Sequence, residues 1–92
     1  MIVSFKCRDI EALLNGKRIA RLAKIETVAM RKLAMLNVAG RIEDLRIPPG
    51  NRLEALSGKR KGQWSIRIND QWRICFRFEG GNALDVEIVD YH

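Results

Sequence analysis

The chain has 92 residues, of which 47% are hydrophobic, and this is enough for one small domain with a single core. Its formal net charge is +6 and its isoelectric point is about 9.9. No apolar stretch approaches the roughly 20 residues of a membrane span, and the start is charged too early for a secretory signal. We therefore expect a cytoplasmic protein without a membrane partner, whose single domain covers residues 1–92.

The basic residues are unevenly distributed along the chain. All 17 lie within residues 1–78, beside 7 acidic residues, whereas residues 79–92 hold four acidic residues and no Lys or Arg. A basic body of this kind favours a polyanionic partner, and nucleic acid is the first candidate. The simpler alternative is a soluble basic protein that has no such partner.

Two cysteines, Cys7 and Cys75, are far apart in the sequence and form no C-x-x-C motif. Neither has a second Cys or His nearby, so we expect reduced thiols and no zinc or other metal site. No motif in the sequence indicates a cofactor.

The first half of the chain predicts a strand followed by two helices. Residues 2–5 are typical of a short strand, and residues 9–15 of a short helix that Asp9 caps. A longer helix is predicted over residues 20–38, because apolar residues recur there every three or four positions. Its apolar stripe is Leu22, Ile25, Ala29, Leu33 and Leu36, and its basic face carries Arg21, Lys24, Arg31 and Lys32.

The second half predicts strands in which apolar and polar side chains alternate. A short strand over residues 52–56 and a loop over 57–63 precede three amphipathic strands, which cover 64–68, 72–78 and 84–89. Such a meander needs helices over its apolar face and leaves the other face open. We therefore predict an α+β fold in which two N-terminal helices pack on a small twisted antiparallel sheet.

Matching the apolar faces of the strands fixes which polar residues meet on the open face, because a one-residue slip would turn one apolar set outward. With a three-residue loop at 69–71, Arg67 lies opposite Arg73. Like charges directly opposed are destabilising. Either a bound phosphate relieves this repulsion, or Glu87 neutralises Arg73 while Arg67 extends into water.

A five-residue loop at 79–83 then places Arg77 opposite Asp85 as a cross-strand ion pair. The same register brings the chain's last residues beside Arg73. Strict alternation puts Asp90 on the core side, so it joins Tyr91 only if the strand bends there. Otherwise Asp90 is a structural residue of the C-terminus.

Several segments, taken in order, resemble the HigB-type toxins of the RelE superfamily. They are the Gly-x-Arg-x-Gly-x-Trp-Ser-Ile run at 58–66, the Trp-Arg-Ile-x-Phe run at 72–76 and the terminal Asp-Tyr-His. The Met-Ile-x-Ser-Phe start and the Gly-Asn-Arg-Leu-Glu-Ala-Leu-Ser-Gly phrase at 50–58 extend the likeness over essentially the whole chain.

The resemblance implies a microbial-ribonuclease-like fold and metal-independent cleavage of mRNA in the decoding site of the ribosome. It also implies a helix-turn-helix antitoxin of the HigA type, which neutralises the toxin and represses their shared operon. Operator DNA is then contacted only through the toxin–antitoxin complex.

By position, Arg73, Asp90, Tyr91 and His92 match functional residues of the family. Where the family has a histidine and a lysine, this chain has Glu54 and Ser57. Ser57 is interpreted as a turn residue, because no adjacent base would activate it as a nucleophile.

Metal-free RNA cleavage needs a base for the 2′-OH proton, positive charge on the phosphorane and an acid for the departing 5′-oxygen. Arg73 fits the positive group, because its planar fork matches phosphate. His92, the only histidine, has the intrinsic pKa of about 6.5 that suits acid or base work. Tyr91 can stack on a base or donate a hydrogen bond, and Glu54 is either a general base or a solvated strand residue.

A second set of basic residues suits contact with RNA or ribosomal phosphates. It comprises Lys59, Arg60 and Lys61 in the glycine-flanked loop, Arg67 on the sheet, and Arg31 and Lys32 on the long helix. The basic face of the long helix suits the ribosome or an acidic antitoxin equally. Trp64 and Trp72 fall on the apolar face and are predicted to be core residues rather than stacking platforms.

Two other functions fit parts of this pattern. The same superfamily includes gyrase poisons of the ParE type, so the fold alone does not give the activity. A non-catalytic RNA- or ribosome-binding protein would keep the basic surface and would need no terminal histidine.

Overall fold

A computed structural model of the chain describes residues 1–91. Its helices are α1, Arg8–Leu14, and α2, Glu26–Val38, and short 3-10 turns cover Ala20–Ile25, Ile42–Arg46, Pro49–Asn51 and Gly58–Arg60. Its strands are β1, Glu54–Ala55, β2, Trp64–Arg67, β3, Trp72–Glu79, and β4, Asn82–Asp90. They form one antiparallel sheet in the order β1-β2-β3-β4, which confirms the predicted α+β class. None of the helices within residues 1–91 has the length and apolar character needed to cross a membrane.

The helical half differs from the prediction at its helix starts. The predicted helix over 20–38 is a 3-10 turn that continues into α2. Cys7, not Asp9, is the N-terminal flanking residue of α1, and its side chain makes no capping bond. Because α1 begins at Arg8, Asp9 lies in the first turn, where its carboxylate accepts a hydrogen bond from Arg21 Nε at 3.0 Å. Asp9 therefore ties α1 to the 3-10 turn at 20–25.

The core lies between the two helices and the sheet. All five residues of the predicted apolar stripe are buried. They pack with buried side chains from the helix-facing side of the sheet, which include Ile66, Ile74, Phe76, Val86 and Ile88. Trp64 and Trp72 pack against this cluster from the predicted face, but they are only half-buried and not fully inside the core.

Residues 2–5 run parallel to β4 and do not form a continuous strand. Ile2 bridges to Ala83 and Phe5 to Val86, with backbone hydrogen bonds on either side of Asp85. The pairing is interrupted because the Asp85 amide donates to Ser4 Oγ at 2.9 Å instead of to a backbone carbonyl. The N-terminal segment therefore extends the sheet beyond β4 through two separate bridges.

The β3–β4 hairpin has a tighter turn than the sequence predicted. Glu79 pairs with Asn82 around Gly80-Gly81, whose φ angles of 56° and 80° both lie in the region that a two-residue hairpin turn requires. Arg77 consequently lies opposite Leu84. The predicted Arg77–Asp85 pair is wrong, and Arg77 instead lies 3.8 Å from the Glu79 carboxylate.

A β-bulge in β4 restores the predicted register at the far end of the hairpin. The shift occurs between Cys75 and Arg77 of β3, and Asp85 takes a left-handed φ of 52° there. Beyond it Cys75 pairs with Glu87 and Arg73 pairs with Val89. The extra residue compensates for the short turn, so Arg73 is diagonal to Glu87 and Tyr91, as predicted.

Candidate functional site

The sheet face turned away from the helices, called the open face below, carries Arg73 near the β2–β3 loop. Arg67 lies directly opposite Arg73 in the β2–β3 register, as predicted. The Arg73 Nε donates to Ser65 Oγ at 2.8 Å, and one of its terminal nitrogens donates to the Arg52 carbonyl at 2.7 Å. Within residues 1–91 no carboxylate forms an ion pair with Arg73. Its guanidinium is therefore held by neutral acceptors and keeps its full positive charge.

The two neighbours considered for charge neutralisation have other partners. Arg67 pairs with Asp70 in the β2–β3 loop, so it does not simply extend into water. Glu87 lies 3.6 Å from an Arg60 nitrogen and 3.5 Å from Lys6 Nζ. The prediction that Glu87 neutralises Arg73 is wrong, because Arg60 and Lys6 approach this carboxylate.

A buried pair beneath the loop at 49–52 supports the acceptor on Arg52. Asn51 is fully buried, accepts a hydrogen bond from Lys32 Nζ and donates to the Leu45 carbonyl at 3.1 Å. The next residue, Arg52, takes the left-handed conformation with φ 46° and presents its carbonyl to Arg73. A side chain of α2 thus fixes the loop that binds Arg73.

Lys32 was expected on the exposed basic face of the long helix, and this is wrong. Its residue exposure is only 7%, because its side chain lies between α2 and the loop that carries Asn51. Burial lowers its pKa, and the nearby charges of Arg31 and Arg67 lower it further. Arg31 is exposed, as the predicted basic face requires.

Tyr91 covers one side of the Arg73 guanidinium. The guanidinium carbon lies 5.7 Å from the centre of the Tyr91 ring, which is within cation–π range. The Tyr91 backbone amide donates to the Gln71 carbonyl at 2.7 Å, so the tail is attached to the β2–β3 loop at this point. Burial raises the pKa of the Tyr91 phenol, and Cys75 raises it further. The phenol is therefore protonated at neutral pH.

Cys75 forms the floor beneath Tyr91. It is fully buried, and its sulfur lies 4.0 Å from the Tyr91 hydroxyl. Burial raises the pKa of the Cys75 thiol, although the positive charge of Arg60 opposes this shift. A protonated thiol without solvent access is a packing group, not a nucleophile.

The glycine-flanked loop contains three basic residues with two different orientations. Lys59 and Lys61 are exposed, whereas Arg60 is half-buried over the open face. The Arg60 guanidinium donates to Gln63 Oε1 at 3.1 Å and lies beside Glu87. Only Lys59 and Lys61 therefore have the solvent-facing position that was expected of all three.

The remaining predicted residues lie at the edges of this site. Glu54 is exposed on β1 directly opposite Ser65, on the same face as Arg73. β4 continues through Asp90, which pairs with Trp72, so alternation puts the Asp90 carboxylate on the helix-facing side. There it accepts a hydrogen bond from Gln71 Nε2 at 3.1 Å. His92 lies outside the described residues.

Sequence reasoning did not select Glu87 as a site residue or separate Arg60 from its lysine neighbours. The register contained the signal for Glu87, because it places this residue opposite Cys75 in the row beside Arg73. The inward turn of Arg60 depends on the 3-10 turn at Gly58–Arg60, which the sequence pattern did not predict.

Chemically, the assembled face offers fixed positive charge, an aromatic ring and an exposed carboxylate. This combination suits a single-stranded polyanion with bases.

A family model described as a RelE-like toxin of the type II toxin–antitoxin system HigB matches residues 14–92. The chain is 42% identical over 87 residues to a Vibrio cholerae protein named toxin HigB-1, and the match covers 92% of each chain. It is also 44% identical over 41 residues to the endoribonuclease HigB of Proteus vulgaris, with 45% of each chain covered.

Among solved structures, the fold resembles a chain in the YoeB–YefM toxin–antitoxin complex from Staphylococcus aureus. The TM-score is 0.59, and the superposition covers 100% of this chain and 95% of that one. Sequence identity is only 14%, so this likeness concerns the fold. It supports the RelE-like α+β architecture predicted from the sequence.

Proposed function

The chain belongs to the HigB-like family of RelE-like toxins from type II toxin–antitoxin systems, and on that premise we propose that it is an endoribonuclease that cuts mRNA on the ribosome. Its activity would stop translation in the cytoplasm until a cognate helix-turn-helix antitoxin of the HigA type neutralises it. Residues 1–92 would act as a single toxin domain. Contact with operator DNA would occur only through the complex with the antitoxin.

The observation that carries this proposal is the state of Arg73. The guanidinium lies on the open face, bonds to Ser65 and to the Arg52 carbonyl, and has no ion pair within residues 1–91. Arginine binds phosphate through parallel N–H donors, and a charge held in place before the reaction stabilises a phosphorane without reorganisation. The matching relatives include one named as an endoribonuclease, which agrees with a phosphodiester substrate.

The reaction we propose is an internal transesterification of RNA that requires no metal ion. The ribose 2′-oxygen bonds to phosphorus while a base takes its proton, and the bond from phosphorus to the 5′-oxygen breaks as an acid protonates that oxygen. The products are a 2′,3′-cyclic phosphate and a 5′-hydroxyl. Arg73 stabilises the doubly charged phosphorane between these two steps.

The acid and base roles fall to two titratable residues. Glu54 is exposed opposite Ser65 and is our choice for the base, whereas His92 supplies the acid because of its intrinsic pKa of about 6.5. Tyr91 stacks against the Arg73 guanidinium and an RNA base, and its protonated phenol can donate a hydrogen bond. Asp90 fixes the C-terminal tail through Gln71.

Contacts to the ribosome come from basic side chains outside this centre. Lys59 and Lys61 are exposed on the glycine-flanked loop, and Arg31 is exposed on α2. Arg67 lies on the open face beside Arg73, where its pairing with Asp70 can give way to a phosphate. Lys32 is omitted from this set because it is buried.

The purified protein with ribosomes programmed by a defined mRNA tests this proposal. We expect cleavage of the ribosome-bound message, much slower cleavage of the same RNA free in solution, and a 5′-hydroxyl on the downstream product. Products with a 5′-phosphate would contradict the transesterification. An intact message together with inhibited DNA gyrase would favour the ParE-type function, and binding to ribosomes without cleavage would favour a non-catalytic protein.

A further inference from the structure

We infer that Arg60 is a second catalytic residue that contacts the scissile phosphate together with Arg73, and that Glu87 is the positioning residue that holds it there. This inference rests on the proposed ribonuclease function. It separates Arg60 from Lys59 and Lys61, with which it forms an unbroken basic run in the sequence.

The orientation of Arg60 is set by two acceptors. One terminal nitrogen of its guanidinium donates to Gln63 Oε1 at 3.1 Å, and the other lies 3.6 Å from Glu87 Oε1. The arginine side chain is 32% exposed, whereas Lys59 and Lys61 are exposed residues of the same loop. Arg60 therefore crosses from the loop onto the open face, where a substrate can reach it.

The sheet register places Glu87, the residue that Arg60 approaches, in the row next to that of Arg73. Glu87 pairs with Cys75, and Cys75 is two residues from Arg73 on the same face of β3. Arg73 and Cys75 are therefore about 6.6 Å apart along the backbone of β3, a span that two long guanidinium side chains can bridge to reach one phosphate. The Tyr91 hydroxyl lies 4.0 Å from the Cys75 sulfur. The positive charges of Arg60 and Arg73 both oppose the rise that burial causes in the pKa of these two groups, so both guanidiniums lie close to the Tyr91–Cys75 pair.

Glu87 is suited to hold Arg60 without immobilising it. Its side chain is only 17% exposed, and it is approached by Arg60 on Oε1 and by Lys6 on Oε2. Both distances exceed 3.4 Å, and Oε2 is buried without a hydrogen-bond partner in the part of the chain that the structure describes. The scissile phosphate gains a second negative charge when it becomes the phosphorane. It can therefore compete with Glu87 for the N–H donors of Arg60, while Glu87 keeps the Arg60 side chain over the open face.

Single-turnover cleavage of ribosome-bound mRNA by Arg60→Ala, Glu87→Gln and the double variant tests the inference. We expect Arg60→Ala to reduce the maximal rate about 10²-fold, which is typical for loss of one donor to a transition-state anion. Glu87→Gln acts through Arg60, so we expect a smaller reduction and no further loss in the double variant. Arg60→Lys keeps the charge without the planar fork and should restore only part of the rate.

Controls separate this role from ribosome binding and from folding. Lys59→Ala and Lys61→Ala should raise the ribosome concentration needed for half-maximal rate, whereas Arg60→Ala should lower the maximal rate itself. Arg77→Ala removes an exposed arginine of the open face whose ion pair is with Glu79, and it should leave both parameters unchanged. Multiplied rate losses for Arg60→Ala and Glu87→Gln in the double variant would overturn the positioning role. A wild-type maximal rate in folded Arg60→Ala would overturn the catalytic role.

A second readout remains valid if the protein does not cleave RNA, and so distinguishes this inference from the proposed function. Titration with inorganic phosphate, followed by the ¹H–¹⁵N signals of the arginine Nε groups, should shift Arg60 and Arg73 with one dissociation constant. The Arg77 signal should remain still. A titration that moves Arg73 and leaves Arg60 unchanged would contradict a shared phosphate site.

Discussion

At the scale of single residues, the open face combines one fixed guanidinium with one aromatic ring. Arg73 bonds to a hydroxyl and to a backbone carbonyl, and the Tyr91 ring lies over it. Neither acceptor carries a formal charge, so the guanidinium remains available to a phosphate.

Arg73→Ala should therefore reduce mRNA cleavage by about 10²–10³-fold, as expected for loss of a donor to a transition-state anion. The side chain lies on the open face, so we expect the helix-facing core and the urea unfolding midpoint to change little. Arg77→Ala on the same strand is the matched control and should cleave at the wild-type rate. Full activity of a folded Arg73→Ala protein would refute the role of Arg73.

Tyr91 should act mainly through its ring. The hydroxyl's contact is with the Cys75 sulfur at 4.0 Å, a weak acceptor, whereas the ring stacks on the Arg73 guanidinium. We expect Tyr91→Phe to retain a cleavage rate within severalfold of the wild type, and Tyr91→Ala to lose much more. Equal losses in the two variants would show that the hydroxyl carries the function.

At the scale of secondary-structure elements, the site depends on an attachment between α2 and the sheet. The Lys32 ammonium donates to Asn51, and the neighbouring Arg52 carbonyl binds Arg73. The helix therefore contributes to the site from beneath, through a buried polar pair, and not through an exposed basic face. Burying an ammonium group destabilises the fold unless the group is hydrogen-bonded, and burial lowers its pKa because it disfavours the charged form.

Burial lowers the Lys32 pKa below its ordinary value of 10.5, which gives a pH dependence of stability with a definite sign. Between the lowered pKa and 10.5 the unfolded chain binds more protons than the folded one, so the unfolding free energy rises with pH across that window. Urea unfolding of wild type and Lys32→Met at pH 7 and pH 10 isolates this contribution. We expect the wild type to gain stability relative to the variant at pH 10, and a constant difference would contradict the buried ammonium.

The glycine-flanked loop at 58–62 contributes to function through its exposed lysines and not through buried hydrogen bonds. Its exposed lysines can contact ribosomal phosphates without entering the open face. Replacing Lys59 and Lys61 together by Ala should weaken ribosome binding and flatten its dependence on salt. Each lost phosphate contact lowers the log–log slope by about 0.9, a value for duplex DNA used here by analogy. The matched control replaces Lys17 and Arg18, an exposed basic pair between the helices, by Ala. An unchanged salt dependence in the loop variant would show that Lys59 and Lys61 point into solvent.

Strand alternation explains how much of the site could be predicted from the sequence. It placed Arg67 opposite Arg73 and Tyr91 diagonal to Arg73, and both positions are observed. It could not anticipate that a two-residue glycine turn and a bulge at Asp85 would together replace a five-residue loop, because the two changes cancel in the final register. The Arg77–Asp85 pair failed for this reason alone.

Long side chains were less predictable than strand positions. Periodicity correctly assigned the apolar stripe from Leu22 to Leu36 but left Lys32 on the exposed side, although its flexible stem allows the ammonium to reach Asn51. Arg60 similarly lies between two exposed lysines in the sequence, but its side chain turns toward Glu87. Both outcomes depend on tertiary hydrogen bonds that no local pattern encodes.

At the scale of the whole molecule, charge and fold agree with a protein that works on a large polyanion. A net charge of +6 favours the approach of a polyanion such as the proposed RNA substrate, while residues 79–92 hold four acidic residues and no Lys or Arg. One of these, Glu87, lies inside the open face and pairs with basic residues from the loop and the N-terminal segment. Glu87 of the acidic C-terminal strand thus lies among positive side chains of the open face.

The central claim is that this chain stops translation by cutting mRNA with Arg73 of the open face. Mapping mRNA 5′ ends by primer extension after induced expression, without the antitoxin, tests it most directly. We predict new ends within translated reading frames for the wild type and their loss for Arg73→Ala expressed at an equal level. Intact messages under wild-type growth arrest, or the same cuts produced by Arg73→Ala, would contradict it.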